Sequence, residues 1–543
     1  MPPPPNENAI NGNGNDANKF VDNEASVPFR KGIQKAVNSL YGSTDNEGHG
    51  SGSRVSSFAG GPGGANENAP LLNAGALSRR STASYVPHVH TANEEHSFAR
   101  RLLFDKYHTP GYDSPNVVAR YVAHILNITK ATLYSSPVNI LLFFVPFGIA
   151  AGALGWSAAT VFTLNFFAII PLAAVLSFAT EEISVRLGES MGGLLNATFG
   201  NAVELIVSIV ALRQGQIEVV QSSMLGSILS NLLLVLGMCF LLGGIWNMRD
   251  RNNNPMEQSF ATVTAQTSCS LMALSMASLI IPATLYSAID DSADKKAKDA
   301  SILTLSRGTA IILLALYVLF LFFQLHTHAN LFDPESTPSA FIDGLHSDEG
   351  NSDDEDAVSS TAGEDEEPHM SPWSAAAVLV VVTLLVSICA EYLVDSIDEI
   401  VASGKISKSF IGLILLPIVG NAAEHVTACV VATRNKMDLA LGVALGSSIQ
   451  IALLVTPALV IVGWLILDQP MSLRFETFET VVFALSVLVV TYTVQDGKSN
   501  YLEGAMLMGL YIIIALAFYV SPGDALDKAM SGVYSLVSGI TSA

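Results

Sequence analysis

Two acidic residues stand in nearly identical surroundings, far apart in the chain. Glu204 ends the segment Gly200-Asn201-Ala202-Val203-Glu204, and Glu424 ends Gly420-Asn421-Ala422-Ala423-Glu424. Each lies in an apolar stretch long enough to cross a bilayer as a helix. A carboxylate in mid-membrane costs roughly 2.5–3.5 kcal/mol, and such residues usually mark a pathway for ions or protons. We therefore predict that both acids bind a transported cation and protons, rather than only helping helices to pack.

The neighbouring polar residues supply further oxygen atoms. On a helix, Asn201, Glu204 and Ser208 would lie on one face. Asn421, Glu424 and Thr427 would lie on one face of the second helix in the same way. Carboxylate, amide and hydroxyl oxygens are the ligands that Ca²⁺ prefers, whereas thiolates and clustered imidazoles would indicate softer metals. The pattern predicts a site for a hard divalent cation.

A second pair of matching segments follows the two acids. Gly226-Ser227-Ile228-Leu229-Ser230 comes after the first, and Gly446-Ser447-Ser448-Ile449-Gln450 comes after the second. Ser227, Ser447 and Gln450 could contribute oxygens where the backbone breaks near a glycine. We predict that they complete the metal site.

Two facing carboxylates cannot both remain charged at low cost in a cavity of low dielectric constant. Without a divalent cation, Glu204 and Glu424 should therefore take up protons. The same oxygens would then bind either protons or a cation, and alternating exposure of such a site couples the movement of one to the movement of the other. The stoichiometry stays open.

The spacing of the motifs indicates an internal duplication, because 420−200, 424−204 and 446−226 all give 220. Hydropathy predicts eleven membrane-spanning helices, at about 136–154, 158–180, 191–212, 223–246, 259–284, 301–323, 373–394, 409–432, 438–467, 474–494 and 502–521. One helix is extra and the other ten form two groups of five. Because five is odd, the two groups would insert in opposite directions, which would bring both acids to the middle of the bilayer.

The predicted fold is therefore an all-α polytopic membrane protein with about eleven helices, one N-terminal helix plus two inverted five-helix repeats. The predicted organisation is a disordered cytosolic tail (1–130), the extra helix (131–155), the first repeat (156–324), an acidic cytosolic linker (325–372), the second repeat (373–521) and a short C-terminal tail (522–543).

Composition agrees with a membrane protein. Of the 543 residues 50% are hydrophobic and only 14% charged, and the mean hydropathy is +0.43. The formal charge of −21 describes no single surface, because many of the acids lie in the linker, where 326–372 contain no Lys or Arg. All four cysteines lie in apolar segments without metal-ligand spacing, so we expect buried thiols and no disulfides.

The N-terminal region is rich in Asn, Gly, Pro and Ser and does not begin like a signal peptide. We therefore expect it to remain cytosolic, although Lys and Arg residues in the short loops do not favour either orientation. An amphipathic stretch near Val117 to Thr132 is expected to lie on the membrane surface.

At these motifs the chain resembles the Ca²⁺/H⁺ exchanger (CAX) family of the calcium/cation antiporter superfamily, especially its fungal vacuolar type. The resemblance covers about 130–521, and is carried by Asn196 to Leu205, Pro417 to His425 and the two Gly-Ser segments. It implies that Glu204 and Glu424 carry cation and protons, that Asn201, Asn421 and Gln450 line the site, and that His425 tunes selectivity. It also places Glu181, Glu182, Glu391, Asp395 and Asp398 at segment ends where a cation would enter or leave, although these acids could equally be solvated helix ends.

The resemblance implies proton-driven movement of Ca²⁺ from the cytosol into an acidic organelle, at the vacuolar membrane. Ca²⁺ and H⁺ would be substrates, no cofactor is expected, and Mn²⁺ stays open as a second cation. We expect the protein to lie in a lipid bilayer and to bind no nucleic acid, and an oligomer is possible.

Three other function classes are alternatives to proton-driven exchange. A Na⁺- or K⁺-coupled exchanger would also use paired carboxylates, and a passive cation channel would use an open pore instead of an occluded site. An intramembrane enzyme is disfavoured because the chain has no H-E-x-x-H motif and no paired aspartates inside the predicted spans. Uptake into sealed vesicles under a pH gradient separates these classes.

Overall fold

The computed structural model describes residues 116–187, 189–249, 255–289, 295–331, 370–403 and 406–520. The expectations for most of the N-terminal tail, most of the acidic linker and the C-terminal tail concern residues outside these ranges.

The first part of the described chain is helical apart from one short strand. Its elements are α1 (Val117–Tyr134), a 3-10 helix (Pro137–Phe143), α2 (Phe144–Ala153), α3 (Ala158–Leu187), α4 (Glu189–Phe199), α5 (Ala202–Arg213), α6 (Ile217–Leu229), a π-helical segment (Ser230–Val235), α7 (Leu236–Trp246), β1 (Gln258–Ser259), α8 (Thr262–Ala288) and α9 (Lys295–Phe322), which continues as a π-helical segment (Phe323–Thr327) and a 3-10 helix (Ala329–Leu331).

The second part has a similar order. Its elements are α10 (Pro372–Asp395), α11 (Ile397–Ala402), α12 (Lys408–Phe410), a π-helical segment (Ile411–Leu415), α13 (Leu416–Gly420), α14 (Ala422–Thr433), α15 (Met437–Gln450), a π-helical segment (Ile451–Val455), α16 (Thr456–Val462), a further π-helical segment (Gly463–Leu467), α17 (Thr477–Thr493), β2 (Lys498–Ser499) and α18 (Tyr501–Val520).

Within the described ranges seven helices are long and apolar enough to cross a bilayer: Ala158–Leu187, Ile217–Trp246, Thr262–Tyr286, Lys295–Thr327, Pro372–Ala402, Met437–Leu467 and Tyr501–Val520. Two bent pairs could add to them, Arg120–Tyr134 with Pro137–Ala153 and Lys408–Gly420 with Ala422–Thr433, and Thr477–Thr493 is a shorter apolar helix. The all-α polytopic fold is confirmed, and each predicted segment coincides with helical structure. The count of eleven spans and the inverted repeats stay predictions.

The helices that carry the two acids are interrupted at the motifs themselves. The first breaks between α4 and α5, at Gly200 and Asn201, and the second bends by 59° between α13 and α14, at Asn421. Glycine and asparagine are weak helix formers, which permits a break here. Glu204 and Glu424 consequently lie in the first turn of a new helix, α5 or α14.

The bounds of these elements repeat along the chain. Helices α5 and α14 begin at 202 and 422, and α6 and α15 begin at 217 and 437, so that 422−202 and 437−217 both give 220. A π-helical segment follows each Gly-Ser segment, at Ser230–Val235 and Ile451–Val455. Such segments are rare and frequently lie at functional sites. This correspondence supports the predicted duplication.

The helices of the two halves pack against each other. Helix α3 packs on α10, α7 on α18, α8 on α17, and α9 on α16. Apolar residues of both halves form one buried cluster, which includes Leu176, Leu229, Leu393 and Leu453. The central motifs therefore lie where the two halves interleave.

The ends of this assembly are tied by polar contacts between the halves. At one end β1 pairs antiparallel with β2, and the buried Gln258 donates from Nε2 to the carbonyl oxygen of Ala432 (3.0 Å) and to Asn435 Oδ1 (2.9 Å). At the other end Arg213 Nη2 lies 2.6 Å from Glu391 Oε1.

The structure adds detail at one predicted boundary and in one connection. Helix α1 covers Val117–Tyr134, so the boundary expected at 130 falls inside a helix. The second half has a longer connection before its acid than the first, from Ala390 to Gly420 instead of Ala179 to Gly200. This connection contains the short helix α11.

Candidate functional site

The two acidic motifs meet in space. The carboxylate of Glu204, which is only 5% exposed, lies directly against the backbone of Gly420, where a Cβ atom would collide with Oε1 of Glu204. Glu424 is close enough to Glu204 for their charges to repel. Two residues separated by 220 positions are thus brought into one buried space.

Asn201 links the first motif to the second half of the chain. Its Nδ2 donates to Gln450 Oε1 at 2.6 Å, and its Oδ1 accepts from Ser447 Oγ at 2.8 Å. Ser447 in turn accepts from Asn231 Nδ2 at 3.0 Å and lies within hydrogen-bonding reach of Glu424. Because Asn201 precedes the first turn of α5, this network fixes the break of that helix relative to α15.

The second motif holds buried polar atoms that make no hydrogen bond within the described residues. These atoms are both side-chain atoms of Asn421 and Oε2 of Glu424. Asn421 is only 1% exposed. Since nearly all buried polar groups in proteins have a partner, the two oxygens are available to a bound cation, proton or water, and Nδ2 is available to donate to a water.

His425 contacts the first half of the chain. Its Nε2 lies 3.3 Å from Ser230 Oγ, at the start of the π-helical segment that follows α6. The imidazole is therefore placed next to the acid Glu424 in sequence and against the Gly-Ser segment of the first half in space. The predicted influence on selectivity stays a prediction.

Serine hydroxyls also lie in this region. Ser227 is fully buried, Ser208 is 1% exposed, and neither Oγ has a hydrogen-bond partner among the described residues. Thr427 differs: it is exposed, and its Oγ1 donates to the carbonyl oxygen of Ala423 in its own helix. Its hydroxyl is therefore satisfied within its own helix, and its predicted contribution beside Glu424 stays a prediction.

The oxygen atoms of this site suit a hard cation, but only two carboxylates among them are charged. Among the described residues no group of three or more His, Cys, Asp or Glu side chains could hold a metal ion. The two carboxylates would therefore have to be supplemented by neutral oxygens from amides, hydroxyls, backbone and water, which Ca²⁺ accepts in a shell of six to eight. Such a site carries two formal negative charges, which one divalent cation or two protons would neutralise.

Four of the five acids predicted at the segment ends, Glu182, Glu391, Asp395 and Asp398, make contacts between the halves. Gln214 Nε2 donates to Asp395 Oδ1 (2.6 Å), and Gln216 Nε2 donates to Asp398 Oδ2 (2.6 Å). Lys408 Nζ lies 2.8 Å from Asp398 Oδ1. On the opposite end, Glu182 Oε2 accepts from the backbone N–H of Met370 (2.9 Å). These acids join helices, and their use as entry points is untested.

Sequence reasoning missed two buried polar residues. Asn231 is 1% exposed and Glu479 is also 1% exposed. Asn231 is the one amide side chain in the apolar stretch from 224 to 246, a signal that could have identified it. Glu479 lies near the start of the predicted span 474–494, where an acid gives no distinctive signal.

A family comparison matches most of the helical part of the chain. The model described as "Sodium/calcium exchanger protein" matches residues 157–326 and 374–520. These two matched segments contain the two acidic motifs and both Gly-Ser segments, and they exclude the tail and the linker.

Several curated relatives match over most of their length. A "Vacuolar calcium ion transporter" of Schizosaccharomyces pombe is 48% identical over 413 residues, covering 76% of this chain and 91% of the relative. A "Vacuolar cation/proton exchanger 3" of Oryza sativa is 41% identical, covering 74% of this chain and 90% of the relative. A "Ca(2+)/H(+) antiporter" of Synechocystis is 42% identical and covers 70% and 97%.

Solved structures agree with the fold. The structure of native YfkE superimposes with a TM-score of 0.54 at 32% identity, covering 70% of this chain and all of that one. A crystal structure described as an H⁺/Ca²⁺ exchanger CAX has a TM-score of 0.51 at 13% identity and covers 74% and 92%, which supports the fold alone. The resemblance carried by the two motifs is thereby confirmed, and the chain belongs to the sodium/calcium exchanger protein family.

Proposed function

We propose that this protein is an antiporter that moves Ca²⁺ across a membrane in exchange for protons. The observation that carries the proposal is the meeting of Glu204, from one half, with Gly420 and Glu424, from the other. Two buried carboxylates in one cavity can be neutralised by one Ca²⁺ or by two protons. Either occupied state is neutral, which lowers the cost of enclosing the site in the membrane.

Each half of the chain contributes one of the two acids and some of the polar side chains around them. Asn201, Ser447 and Gln450 form a hydrogen-bonded bridge between the halves. Asn421, Ser227 and Glu424 hold oxygens that make no hydrogen bond to the described residues, and these would be the first to bind the cation. A rocking motion of the halves about this bridge would expose the site to either side in turn. The cycle needs no cofactor, because both ions are substrates.

The relatives support the location of transport. Two of them are named as vacuolar, one for calcium ion transport and one for cation/proton exchange. We therefore propose the vacuolar membrane as the location of this protein. We infer a cytosolic N-terminus because the polar N-terminal region does not begin like a signal peptide, and we infer that protons leaving the acidic lumen drive Ca²⁺ inward. Mn²⁺ shares the preference of Ca²⁺ for oxygen ligands and is a candidate second substrate.

The test uses the full-length protein reconstituted in sealed liposomes with an acidic interior. We expect Ca²⁺ uptake on formation of the pH gradient and loss of uptake with a protonophore. A Na⁺ or K⁺ gradient at equal pH on both sides should drive none. Uptake driven by Na⁺, or Ca²⁺ flux that persists without any gradient of H⁺ and saturates like a pore, would overturn the proposal. Adding Mn²⁺ in the same assay tests whether it competes.

A further inference from the structure

A third buried carboxylate lies outside the central site. Glu479, in the first turn of α17, is 1% exposed, and its Oε1 accepts a hydrogen bond from Ser222 Oγ of α6 at 2.5 Å. This hydrogen bond joins the two halves of the chain. A buried acid in a membrane helix is costly to retain, so its presence calls for a role beyond packing.

Glu479 is placed between one face of the protein and the central site. Ser222 lies about two turns before Ser230 along the same continuous helix, a rise of about 12 Å, and Ser230 contacts His425 beside Glu424. In the other direction Glu218 lies one turn before Ser222, in the first turn of α6. The axis of α6 thus leads from the helix end, past Glu479, to the central carboxylates.

The outer end of this path carries two more acids. Ser409 Oγ lies between Glu218 Oε1 (3.4 Å) and Glu476 Oε2 (3.5 Å). Both acids are close enough to Glu479 to act on it electrostatically. Further towards the central site, Ser227 lies between Ser222 and Ser230 in the chain. Its hydroxyl is fully buried and makes no hydrogen bond to the described residues. Polar side chains therefore occur repeatedly along α6, at Glu218, Ser222 and Ser227.

The chemistry at Glu479 suits a proton and not a metal ion. One carboxylate and one hydroxyl fall far short of the six to eight oxygens of a Ca²⁺ shell, and the described residues hold no group of three acidic, His or Cys side chains with metal-binding geometry. A proton needs only one acceptor oxygen, and carboxylates and hydroxyls pass protons along hydrogen bonds.

We propose that Glu479 is a proton-transfer residue, which carries protons between the face marked by Glu218 and Glu476 and the central pair Glu204 and Glu424. In each cycle Glu479 accepts a proton from one side, passes it through hydroxyls and water to the other, and returns to its starting form. Protons would then have a route beside α6 that Ca²⁺ does not use. This inference rests on the proposed exchange of Ca²⁺ for protons.

The decisive variant is Glu479→Gln, which keeps the shape and can still accept the hydrogen bond from Ser222 but cannot carry a proton. Two activities of reconstituted protein are compared: Ca²⁺ uptake driven by a pH gradient, and exchange of ⁴⁵Ca²⁺ for Ca²⁺ at equal pH, which requires no net proton movement. We expect the first to fall at least tenfold and the second to remain within about twofold of the unaltered protein. Retained ⁴⁵Ca²⁺ exchange also shows that the variant is folded.

Matched controls complete the design. Glu399→Gln removes an exposed acid outside this path and should change both activities less than threefold. Glu479→Asp restores a titratable group and should recover a substantial part of the pH-driven uptake. Two results would overturn the inference: Glu479→Gln with unimpaired pH-driven uptake, or Glu479→Gln with both activities lost in parallel. Absence of pH-driven uptake by the unaltered protein would instead refute the exchange mechanism itself.

Discussion

The side chain of Asn201 shows how much the central site depends on contacts between distant residues. Its amide nitrogen and oxygen are both bonded to the second half, to Gln450 and Ser447. Sequence comparison between the halves could predict that these residues meet, because the Gly-Asn-Ala-x-Glu and Gly-Ser motifs keep a common spacing. It could not predict which atoms pair, since those pairings depend on where each helix breaks.

Two further residues show what a local pattern leaves out. Thr427 was predicted to share a helix face with Glu424, but the pattern could not predict that its side chain is exposed and that its hydroxyl bonds within α14. Glu479 was overlooked because hydropathy placed it near a helix end, where acids are usually solvated. Its burial is produced by α6 and α17 packing together, which no local pattern reveals.

The first prediction concerns the central acids. We expect Glu204→Gln and Glu424→Gln each to abolish pH-driven Ca²⁺ uptake, because Gln can neither titrate nor supply a charged oxygen. Both variants should insert normally, since Gln costs less in the membrane than an acid. Uptake by equal amounts of purified protein in liposomes is the measurement.

The exposed acid Glu399 provides the matched control for these variants. Glu399→Gln should transport like the unaltered protein. Substantial pH-driven uptake by either central variant would remove that residue from the mechanism.

A second prediction concerns the contact between Gly420 and Glu204. In Gly420→Ala the added methyl group meets the Glu204 carboxylate, so we expect the carboxylate to be displaced and the apparent Ca²⁺ affinity to fall about tenfold, equivalent to about 1.4 kcal/mol. Ca²⁺ dependence of the initial uptake rate measures this. Gly442→Ala, where a Cβ atom meets open space, should have no such effect, and equal affinities for the two variants would contradict the described contact.

At the scale of elements, the crossing of α6 with the π-helical segment 411–415 positions the broken helix of the second half. Gly226 approaches the backbone of Leu413 so closely that a Cβ atom would overlap its carbonyl group. A backbone break was predicted near the glycines of the Gly-Ser segments, but α6 and α15 are continuous there, and the breaks lie at the acidic motifs instead. The π-helical segments were not predicted, because they arise from packing between helices rather than from a local sequence signal.

The third prediction tests this crossing. Gly226→Ala should separate the two elements and lower the free energy of unfolding by about 1–3 kcal/mol, the usual cost of overpacking. Thermal unfolding of the detergent-solubilised protein should show a lower midpoint. Gly509→Ala in α18, a glycine with open space around its Cβ direction, serves as the comparison. A midpoint unchanged by Gly226→Ala would show that the crossing is looser than described.

At the scale of the whole molecule, α3 with α10 and α7 with α18 pair helices from opposite halves. Hydropathy predicted where the helices lie along the chain, to within a few residues in most cases. It could not predict this interleaving, because most apolar faces in such a protein are interchangeable by composition. Hydropathy also contains no information on the class of transported ion, which is indicated by the family match and the relatives.

The fourth prediction concerns the acidic linker, whose thirteen acids lie between Asp333 and Glu367, outside the described residues. Replacing them by Asn and Gln should change the apparent Ca²⁺ affinity modestly and leave the maximal rate nearly unaltered. Charges in water act over about 8 Å at physiological ionic strength. The effect should therefore shrink as salt is added to the uptake assay. If the neutralised linker abolished uptake at saturating Ca²⁺, or acted equally at all salt concentrations, the linker would have to be a gate.

The bridge between Asn201 and Gln450 has a consequence for the ancestry of such a protein. A single five-helix half, acting as a pair of identical antiparallel copies, would be obliged to carry the same side chain at both equivalent positions. Fusion into one chain removes that obligation: Ser230 and Gln450 occupy corresponding places, 220 residues apart, as do Asn231 and Ile451. The helix bounds keep a common spacing of 220 residues while the side chains differ, so under the predicted duplication each acid can acquire different neighbours and serve the two ions unequally.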